Sequence, residues 1–171
     1  MPHLLLIAGN GRNVGKTTVA CQIIARFAAE TPVTAVKISP HFHAFDADEL
    51  VFGTENFVIL NETKQTEKDS SRMLQAGASK VFFAMAKPGF LNEATEKLLQ
   101  FLPENLIVCE SGGLHEFVTP GIFLMVKRTG DEIVKKHLLN YAPIIVNNDG
   151  KNFDFDFRRL RFSNNKISLK P

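Results

Sequence analysis

The sequence predicts an α/β fold in which a mostly parallel sheet lies between two layers of helices. Short runs of apolar, β-rich residues recur along the chain, and most of these runs are continuous rather than alternating. Continuous apolar runs are typical of strands that are covered on both faces. Segments with the apolar spacing of amphipathic helices fall between many of the runs. Together these observations indicate a three-layer sandwich.

The predicted strands and helices follow one another along the chain. The apolar runs predict strands at residues 4–8, 33–38, 57–60, 81–86, 106–109, 122–126 and 144–146. Helical spacing predicts helices at residues 17–29, 68–76, 92–102 and 131–139. In the first helix one face collects the apolar residues Val19, Ala20, Ile23, Ile24, Phe27 and Ala28 and is expected to pack on the sheet.

The carboxy-terminal segment, residues 151–171, predicts a β-hairpin. Aromatic and charged residues alternate from Phe153 to Phe157, and a Ser-Asn-Asn turn precedes Ile167. The hairpin is expected to pack on the domain or on a partner. The whole chain, residues 1–171, is expected to form one domain, because 171 residues that are 44% hydrophobic can bury a sizeable core.

Charge and composition argue against several classes of protein. The formal net charge is +2 and the sequence pI is about 8.6, with both signs mixed along the chain, so we expect no nucleic-acid partner. The amino-terminal apolar run is too short for a signal peptide or a membrane span, so we expect no membrane partner and a cytoplasmic location. Cys21 and Cys109 lack C-x-x-C spacing and are expected in the core.

The segment after the first strand has the layout of a phosphate-binding P-loop. It reads Gly9-Asn10-Gly11-Arg12-Asn13-Val14-Gly15-Lys16-Thr17-Thr18, a glycine-rich turn followed by the start of a helix. We expect this segment to bind a nucleoside triphosphate, because its glycines let backbone N–H groups surround phosphate oxygens and the helix start adds its positive end. Lys16 would reach the β- and γ-phosphates, Thr17 would coordinate Mg²⁺ and Thr18 would lie near an inner phosphate.

The spacing of the loop departs from the strict pattern G-x-x-x-x-G-K-[ST]. That pattern would place its first glycine at position 10, where the chain has Asn10, and Gly9 lies one residue earlier. The longer spacing resembles dethiobiotin synthetases and related amidoligases. Those enzymes typically carry an aspartate two residues after the first glycine, where this chain has Gly11.

Polar side chains follow three other predicted strands, at the sheet edge where ligands gather. Glu110 directly follows the fifth apolar run and is predicted to be a Mg²⁺ ligand and a catalytic group. Lys37, at the end of the second run, is predicted to add positive charge for catalysis, with Arg12 as an alternative. Asn147 and Asn148 follow the seventh run, and either Asn147 or Asn148 is a candidate for hydrogen bonds to a nucleobase, although the same letters are common in turns.

Two histidines follow the second strand. His41 and His43 have an H-x-H spacing and stand among basic and carboxylate residues. Contact with phosphates and Mg²⁺ is one interpretation of this loop. Zinc binding without an apparent third ligand and a solvated surface loop are the alternatives.

Four stretches of the sequence carry a family resemblance. They are the glycine-rich loop, the histidine loop of residues 37–48, the K-D-S-S-R segment of residues 68–72 with the A-G-A of residues 76–78, and residues 110–116 with Pro120. Taken together, they resemble the molybdopterin-guanine dinucleotide biosynthesis adaptor family, called MobB. The pairing of K-D-S with A-G-A is the most family-specific signal.

The resemblance implies a P-loop NTPase fold and a small protein that binds GTP with Mg²⁺ and hydrolyses it slowly. It also implies a homodimer that assists a molybdopterin nucleotidyltransferase. Carried over by position, Gly15, Lys16, Thr17 and Glu110 would serve nucleotide and metal. Two alternatives stay open: an ATP-dependent amidoligase similar to dethiobiotin synthetase, and a nucleotide-dependent binding module that does not hydrolyse.

Overall fold

The computed structural model describes residues 1–170 and contains an eight-stranded sheet and a separate two-stranded hairpin. The strands are β1 (Leu4–Gly9), β2 (Val33–Ser39), β3 (Leu50–Gly53), β4 (Phe57–Asn61), β5 (Lys80–Ala86), β6 (Leu106–Glu110), β7 (Ile122–Arg128), β8 (Ile144–Asn148), β9 (Leu160–Ser163) and β10 (Lys166–Leu169). The α-helices of this part of the chain are α1 (Lys16–Phe27), α2 (Asp69–Gln75) and α3 (Leu91–Leu99). None of them is long and apolar enough to cross a membrane.

The sheet is mostly parallel, as the continuous apolar runs predict. Its strand order is β3-β4-β5-β2-β6-β1-β7-β8. The strands from β5 to β8 in this order pair in parallel, whereas β4 pairs antiparallel with both of its neighbours. The sequence patterns did not predict β3, because it is a four-residue edge strand whose side chains are largely exposed.

The two faces of the sheet carry separate apolar clusters. Alternate residues of β1 divide between them: Leu5 and Ile7 belong to the cluster that α1 and α2 cover, and Leu4 and Leu6 belong to the cluster that α3 covers. This division follows from the two-residue period of a strand. A sheet between two helical layers is therefore present, and the predicted α/β architecture is confirmed.

The carboxy-terminal hairpin is also confirmed, although it is shorter than the predicted segment. Strands β9 and β10 pair antiparallel around Asn164 and Asn165, whose φ angles are 50° and 54°. Two successive left-handed residues make the tight turn that suits a twisted hairpin. The aromatic residues from Phe153 to Phe157 form no strand and instead pack, half-buried, against the core. Pro171 lies outside the described residues.

The hairpin packs on the domain itself. Leu160 and Ile167 are fully buried in the same apolar cluster as α1. The backbone N–H of Ile167 donates to the carbonyl of Pro2 at 2.9 Å. A Cβ on Gly121 would lie 2.2 Å from that same carbonyl oxygen, so this close approach requires glycine.

The helix predicted at residues 131–139 is wrong. The structure has no helix over residues 131–135 and a 3₁₀ helix at Lys136–Tyr141. The side chain of Asn10 accepts hydrogen bonds from the backbone N–H groups of Val134 and Lys135 and donates to the carbonyl of Glu132. Backbone groups that a helix would pair with one another are therefore bonded to a distant side chain.

We expect Ile167→Ala to lower the free energy of unfolding by about 2–5 kcal/mol, because the truncation leaves a cavity where the hairpin meets the core. Urea unfolding followed by circular dichroism measures this change. Lys166→Ala, on an exposed neighbouring residue of the same strand, is the control and should change little. Equal stability of the two variants would show that the hairpin does not contribute to the core.

Candidate functional site

The candidate site lies at the carboxyl edge of the sheet, where the chain leaves the neighbouring strands β1 and β6 towards opposite faces. After β1 the chain enters α1, which packs on the face of Ile7. After β6 it turns to Leu114, which is buried in the opposite cluster. Such a divergence of connections opens a crevice at the ends of the strands. The glycine-rich loop, residues 9–15, lies at this crevice.

Two glycines of the loop are required by its geometry. Gly15 has φ of 102°, a left-handed conformation, and a Cβ there would lie 2.7 Å from Nδ2 of Asn148. A Cβ on Gly9 would lie 2.6 Å from Cδ of Lys16. The lysine therefore folds back across the loop, and its amino group donates to the carbonyl of Gly11 at 3.1 Å. A side chain on either glycine would distort the loop.

Four side chains form a connected polar network beneath the loop. The Thr17 hydroxyl donates to Oε2 of Glu110 at 2.7 Å. The Lys37 amino group donates to Oε1 of Glu110 at 3.2 Å and to Oδ2 of Asp69 at 2.6 Å. Thr17 belongs to α1, Lys37 to β2, Asp69 to α2 and Glu110 to β6. The carboxylate of Glu110 is thus shared between the Thr17 hydroxyl and the Lys37 amino group.

The register of the sheet explains why these side chains meet. Glu110 pairs with Lys37 on one side and with Ile7 on the other. Residues paired across parallel strands point to the same face, which is the face that α1 and α2 cover. Thr17 and Asp69 lie in the first turns of those two helices, directly above the strand ends.

Charges in the network influence one another. Burial is the largest influence on the pKa of Asp69 and raises it, but the hydrogen bond and charge of Lys37, aided by Arg72, bring that pKa below its ordinary value of 3.8. The pKa of Lys16 is lowered, chiefly by burial and then by the charges of Lys37 and Lys135, while Glu110 opposes this shift. Cations and carboxylates therefore lie close together in this site.

A cavity of about 250 Å³ adjoins the network and the start of α1. It is lined by Asn13, Gly15, Lys16, Thr17, Thr18, Asp69, Arg72 and Glu110. Backbone N–H groups at the start of α1, which no side chain caps, can hold an anion there. Thr17 and Glu110 place a hydroxyl and a carboxylate oxygen together, and hard cations such as Mg²⁺ prefer oxygen ligands.

Half of the ten predicted loop residues line this cavity, namely Asn13, Gly15, Lys16, Thr17 and Thr18. The side chains of the other loop residues, and that of Thr18, make different contacts. Asn10 is buried and bonded to the segment 132–135, as described above. Arg12 reaches His41, with Nη2 and Nε2 3.3 Å apart. Val14 is buried in the core, whereas Thr18 faces Arg72 at 3.5 Å.

The predicted base-binding asparagine lies away from the loop. The backbone N–H and the side-chain amide of Asn147 both donate to the carboxylate of Asp154. Its neighbour Asn148 instead donates to the carbonyl of Val14 at 2.9 Å. A cavity of about 640 Å³ lies beside this contact, and it is lined by Asn13, Arg128, Thr129, Asn148, Asp149 and Gly150.

The histidine loop lies on the surface. His41 and His43 are exposed, and the His43 ring stacks on Phe83 with ring centroids 6.4 Å apart. Within residues 1–170 no group of three or more histidine, cysteine, aspartate or glutamate side chains is arranged to hold a metal ion. The zinc interpretation of this pair therefore gains no support from the geometry.

Sequence reasoning missed Asp69, Arg72 and Lys135, whereas Asn148 was already a candidate beside Asn147. Asp69 stands in the K-D-S-S-R segment that carries the family resemblance, but no role was predicted for it. A carboxylate at the start of a helix that follows a strand end was the available signal. No local signal pointed to Lys135, because its place depends on Asn10, 125 positions away in the chain.

No protein-family model, no curated protein and no solved structure matches the chain. The site itself offers a loop of backbone donors, a paired hydroxyl and carboxylate, and several lysine and arginine side chains. Its function is therefore argued from this chemistry.

We expect Lys37→Met to raise the pKa of Asp69, because burial then acts against Arg72 and Thr17 alone. In the unmodified protein the lowered pKa means that ionised Asp69 stabilises the fold above pH 3.8 and that this contribution is lost as the pH falls through the folded value. The variant should lose less stability over the same acidification. Carboxyl NMR titration and urea unfolding at several pH values measure both effects.

Lys68→Met is the matched control, since Lys68 is exposed and adjoins Asp69 in the chain. It should leave the pKa of Asp69 near its value in the unmodified protein. An unmoved Asp69 pKa in Lys37→Met would contradict the network as described.

Proposed function

We propose that this chain is a P-loop protein that binds a nucleoside triphosphate, GTP in our expectation, together with Mg²⁺ and hydrolyses it slowly. One observation supports this most: the Thr17 hydroxyl, directly after the glycine-rich loop, lies 2.7 Å from the carboxylate of Glu110. A hydroxyl and a strand-end carboxylate in this relation are what a magnesium–nucleotide site requires.

The glycine-rich loop and α1 would hold the phosphates. Successive backbone N–H groups of a glycine-rich turn can surround phosphate oxygens, and the uncapped start of a twelve-residue helix adds positive potential. Lys16 already lies across the loop on the carbonyl of Gly11. A phosphate is a stronger acceptor than this carbonyl, so the amino group would exchange one partner for the other.

Thr17 and Glu110 would hold the magnesium ion. Both offer oxygen atoms, and their present hydrogen bond shows that they can approach the same point. Mg²⁺ supplies positive charge that neutralises the phosphate oxygens. Lys37 orients Glu110 through its 3.2 Å contact.

Lys16 and Lys37 would contribute electrostatic stabilisation to hydrolysis. Charge that develops on the terminal phosphate is stabilised by cations already in place, which need no reorganisation at the moment of reaction. Glu110 is bonded to Thr17, directly after the loop, and would also orient the attacking water. Within residues 1–170 no further base lies in the 250 Å³ cavity besides Asp69, which is engaged by Lys37, and this suits slow turnover.

The nucleobase would lie on the β8 side of the loop. The 640 Å³ cavity beside Asn148 adjoins Asn13 and is large enough for a base and its ribose. Asn147, our expected base contact, is held by Asp154 and would have to release it. The expectation of GTP rests on the family resemblance.

That resemblance also suggests the biological role. We propose that the chain acts as a homodimer that assists a nucleotidyltransferase in attaching guanine nucleotide to molybdopterin. The Lys37–Asp69 ion pair supports the assignment, because it joins two of the segments that carry the resemblance, residues 37–48 and 68–72.

An ATP-dependent ligase similar to dethiobiotin synthetase is the second candidate, and one observation favours it. A cavity of about 570 Å³, lined by apolar and polar residues, lies beside residues 111–113 at the ends of β2, β5 and β6. Its size and mixed lining suit a small second substrate. A ligase would require such a substrate for turnover.

We expect Lys16→Ala to abolish tight nucleotide binding without unfolding the protein, because the Lys16 amino group lies across the loop on the carbonyl of Gly11. Calorimetric titration with GTP and ATP, with and without Mg²⁺, measures this. Lys166→Ala serves as the control. Mg²⁺-dependent preference for GTP supports the adaptor role, preference for ATP supports the ligase, and normal affinity in Lys16→Ala contradicts the site.

We expect Glu110→Gln to lower the affinity of the nucleotide complex for Mg²⁺ by about 10- to 100-fold, because one charged oxygen ligand is lost. Nucleotide binding should then depend less on Mg²⁺. Magnesium titration of the nucleotide complex measures this. Glu104→Gln, on an exposed residue ahead of the same strand, is the control. If Glu110→Gln leaves the metal titration unchanged, Glu110 does not belong to the metal site.

A further inference from the structure

The segment of residues 132–135, which we call the strap, is fastened to the glycine-rich loop by one side chain. Asn10 is only 4% exposed. Its Nδ2 donates to the carbonyl of Glu132 at 2.8 Å. Its Oδ1 accepts from the N–H groups of Val134 at 2.8 Å and Lys135 at 3.3 Å. The side-chain amide of Asn10 thus fixes the backbone of the strap through both its nitrogen and its oxygen.

The strap brings the side chain of Lys135 to the candidate site. The Lys135 amino group lies 4.0 Å from the point that a Cβ on Gly112 would occupy, two residues after Glu110. It also lines the 570 Å³ cavity together with residues 111–113. Its backbone N–H donates to Oδ1 of Asn10, a residue of the glycine-rich loop, at 3.3 Å. Lys135 therefore lies between the loop and the residues that follow Glu110.

Lys135 differs from Lys37 in having a free charge. Lys37 is paired with Asp69 and Glu110. Among the ion pairs of residues 1–170, none includes Lys135. A half-buried ammonium group without a carboxylate partner is available to an incoming anion at little cost in broken contacts.

We propose that Lys135 contacts the terminal phosphate of the bound nucleotide as a further catalytic residue, and that Asn10 is the residue that positions it. This inference rests on the proposed function. In hydrolysis the water oxygen forms a bond to the γ-phosphorus, and the bond from phosphorus to the β–γ bridging oxygen breaks. The electron pair of the broken bond stays on the leaving diphosphate, and the proton lost by water ends on the released phosphate. Lys135 would neutralise charge that builds up on the oxygens during this exchange.

The proposal also accounts for the unusual spacing of the loop. A strict P-loop would have glycine at position 10, where this chain has a buried asparagine. Glycine has no side chain and would leave the strap unfastened. The asparagine at position 10 is explained if the loop does two things: it surrounds phosphate, and it holds a catalytic cation from a distant segment.

The test compares steady-state hydrolysis of Mg²⁺–GTP, and of Mg²⁺–ATP, by matched variants. Lys135→Ala should lower kcat on the order of 100-fold, while KM changes much less, because the contact strengthens as charge develops. Lys135→Arg should retain most of the rate. Lys136→Ala, on the exposed neighbouring lysine, should behave like the unmodified protein.

The role of Asn10 is tested by a double-mutant cycle. Asn10→Ala should lower kcat, and Asn10→Ala combined with Lys135→Ala should be no slower than Lys135→Ala alone, because the two residues act through one amino group. Fully multiplicative effects would overturn the positioning role.

The remaining outcomes separate the two levels of the proposal. If the unmodified protein hydrolyses nucleotide and the kcat of Lys135→Ala stays within twofold of it, the inference is overturned and the proposed function stays in place. Absence of phosphate release by the unmodified protein with either nucleotide would overturn both. Thermal unfolding of each variant, with Lys135→Gln retaining the aliphatic stem, separates loss of activity from loss of fold.

Discussion

The amino group of Lys37, placed between the carboxylates of Asp69 and Glu110, connects the parts of the candidate site. A half-buried cation would be costly if it were unpaired, and two carboxylates at the same sheet edge would repel each other without it. Because each group compensates another, the strands β2 and β6 and the helix α2 are held in one arrangement. Thr17 then meets Glu110 from the start of α1, and the network becomes continuous with the glycine-rich loop. The proposed metal site of Thr17 and Glu110 depends on this arrangement of charges.

The position of the site follows from the layers of the fold. Strand pairing places Ile7, Lys37 and Glu110 side by side, and the two helices that begin above them supply Thr17 and Asp69. The core beneath is fully buried on both faces of β1, so this edge of the sheet is rigid. A rigid edge lets a loop, two helix starts and a strand end keep short distances among polar groups. Precise placement of this kind is what electrostatic stabilisation requires.

The strap shows a different use of polar bonding. Residues 131–139 have the apolar spacing of a helix, yet their first half is bonded to Asn10 and forms no helix. The buried amide of Asn10 donates one hydrogen bond and accepts two, which replace part of the internal ladder that a helix would form, so the backbone groups remain satisfied. The consequence is that a lysine from a distant part of the chain lies beside Gly112. Lys135 lines the 570 Å³ cavity, whereas the 640 Å³ cavity adjoins Asn13 of the loop.

The sequence by itself determined the strand runs, the mostly parallel sheet, the carboxy-terminal hairpin and the residues at the strand ends. These depend on periods of two or 3.6 residues and on turn spellings, which are local. The sequence did not predict the short edge strand β3 or the true start of the hairpin at Leu160, because their patterns are brief and half-exposed. Only the tertiary structure decided that Lys37 pairs with Asp69, that Asn147 bonds to Asp154 and that Asn10 holds the strap. Partners in these contacts lie 32 to 125 positions apart, except for the bond from Asn147 to Asp154, seven positions away. Local propensity carries no information about such partners, because only the packed sheet brings them together.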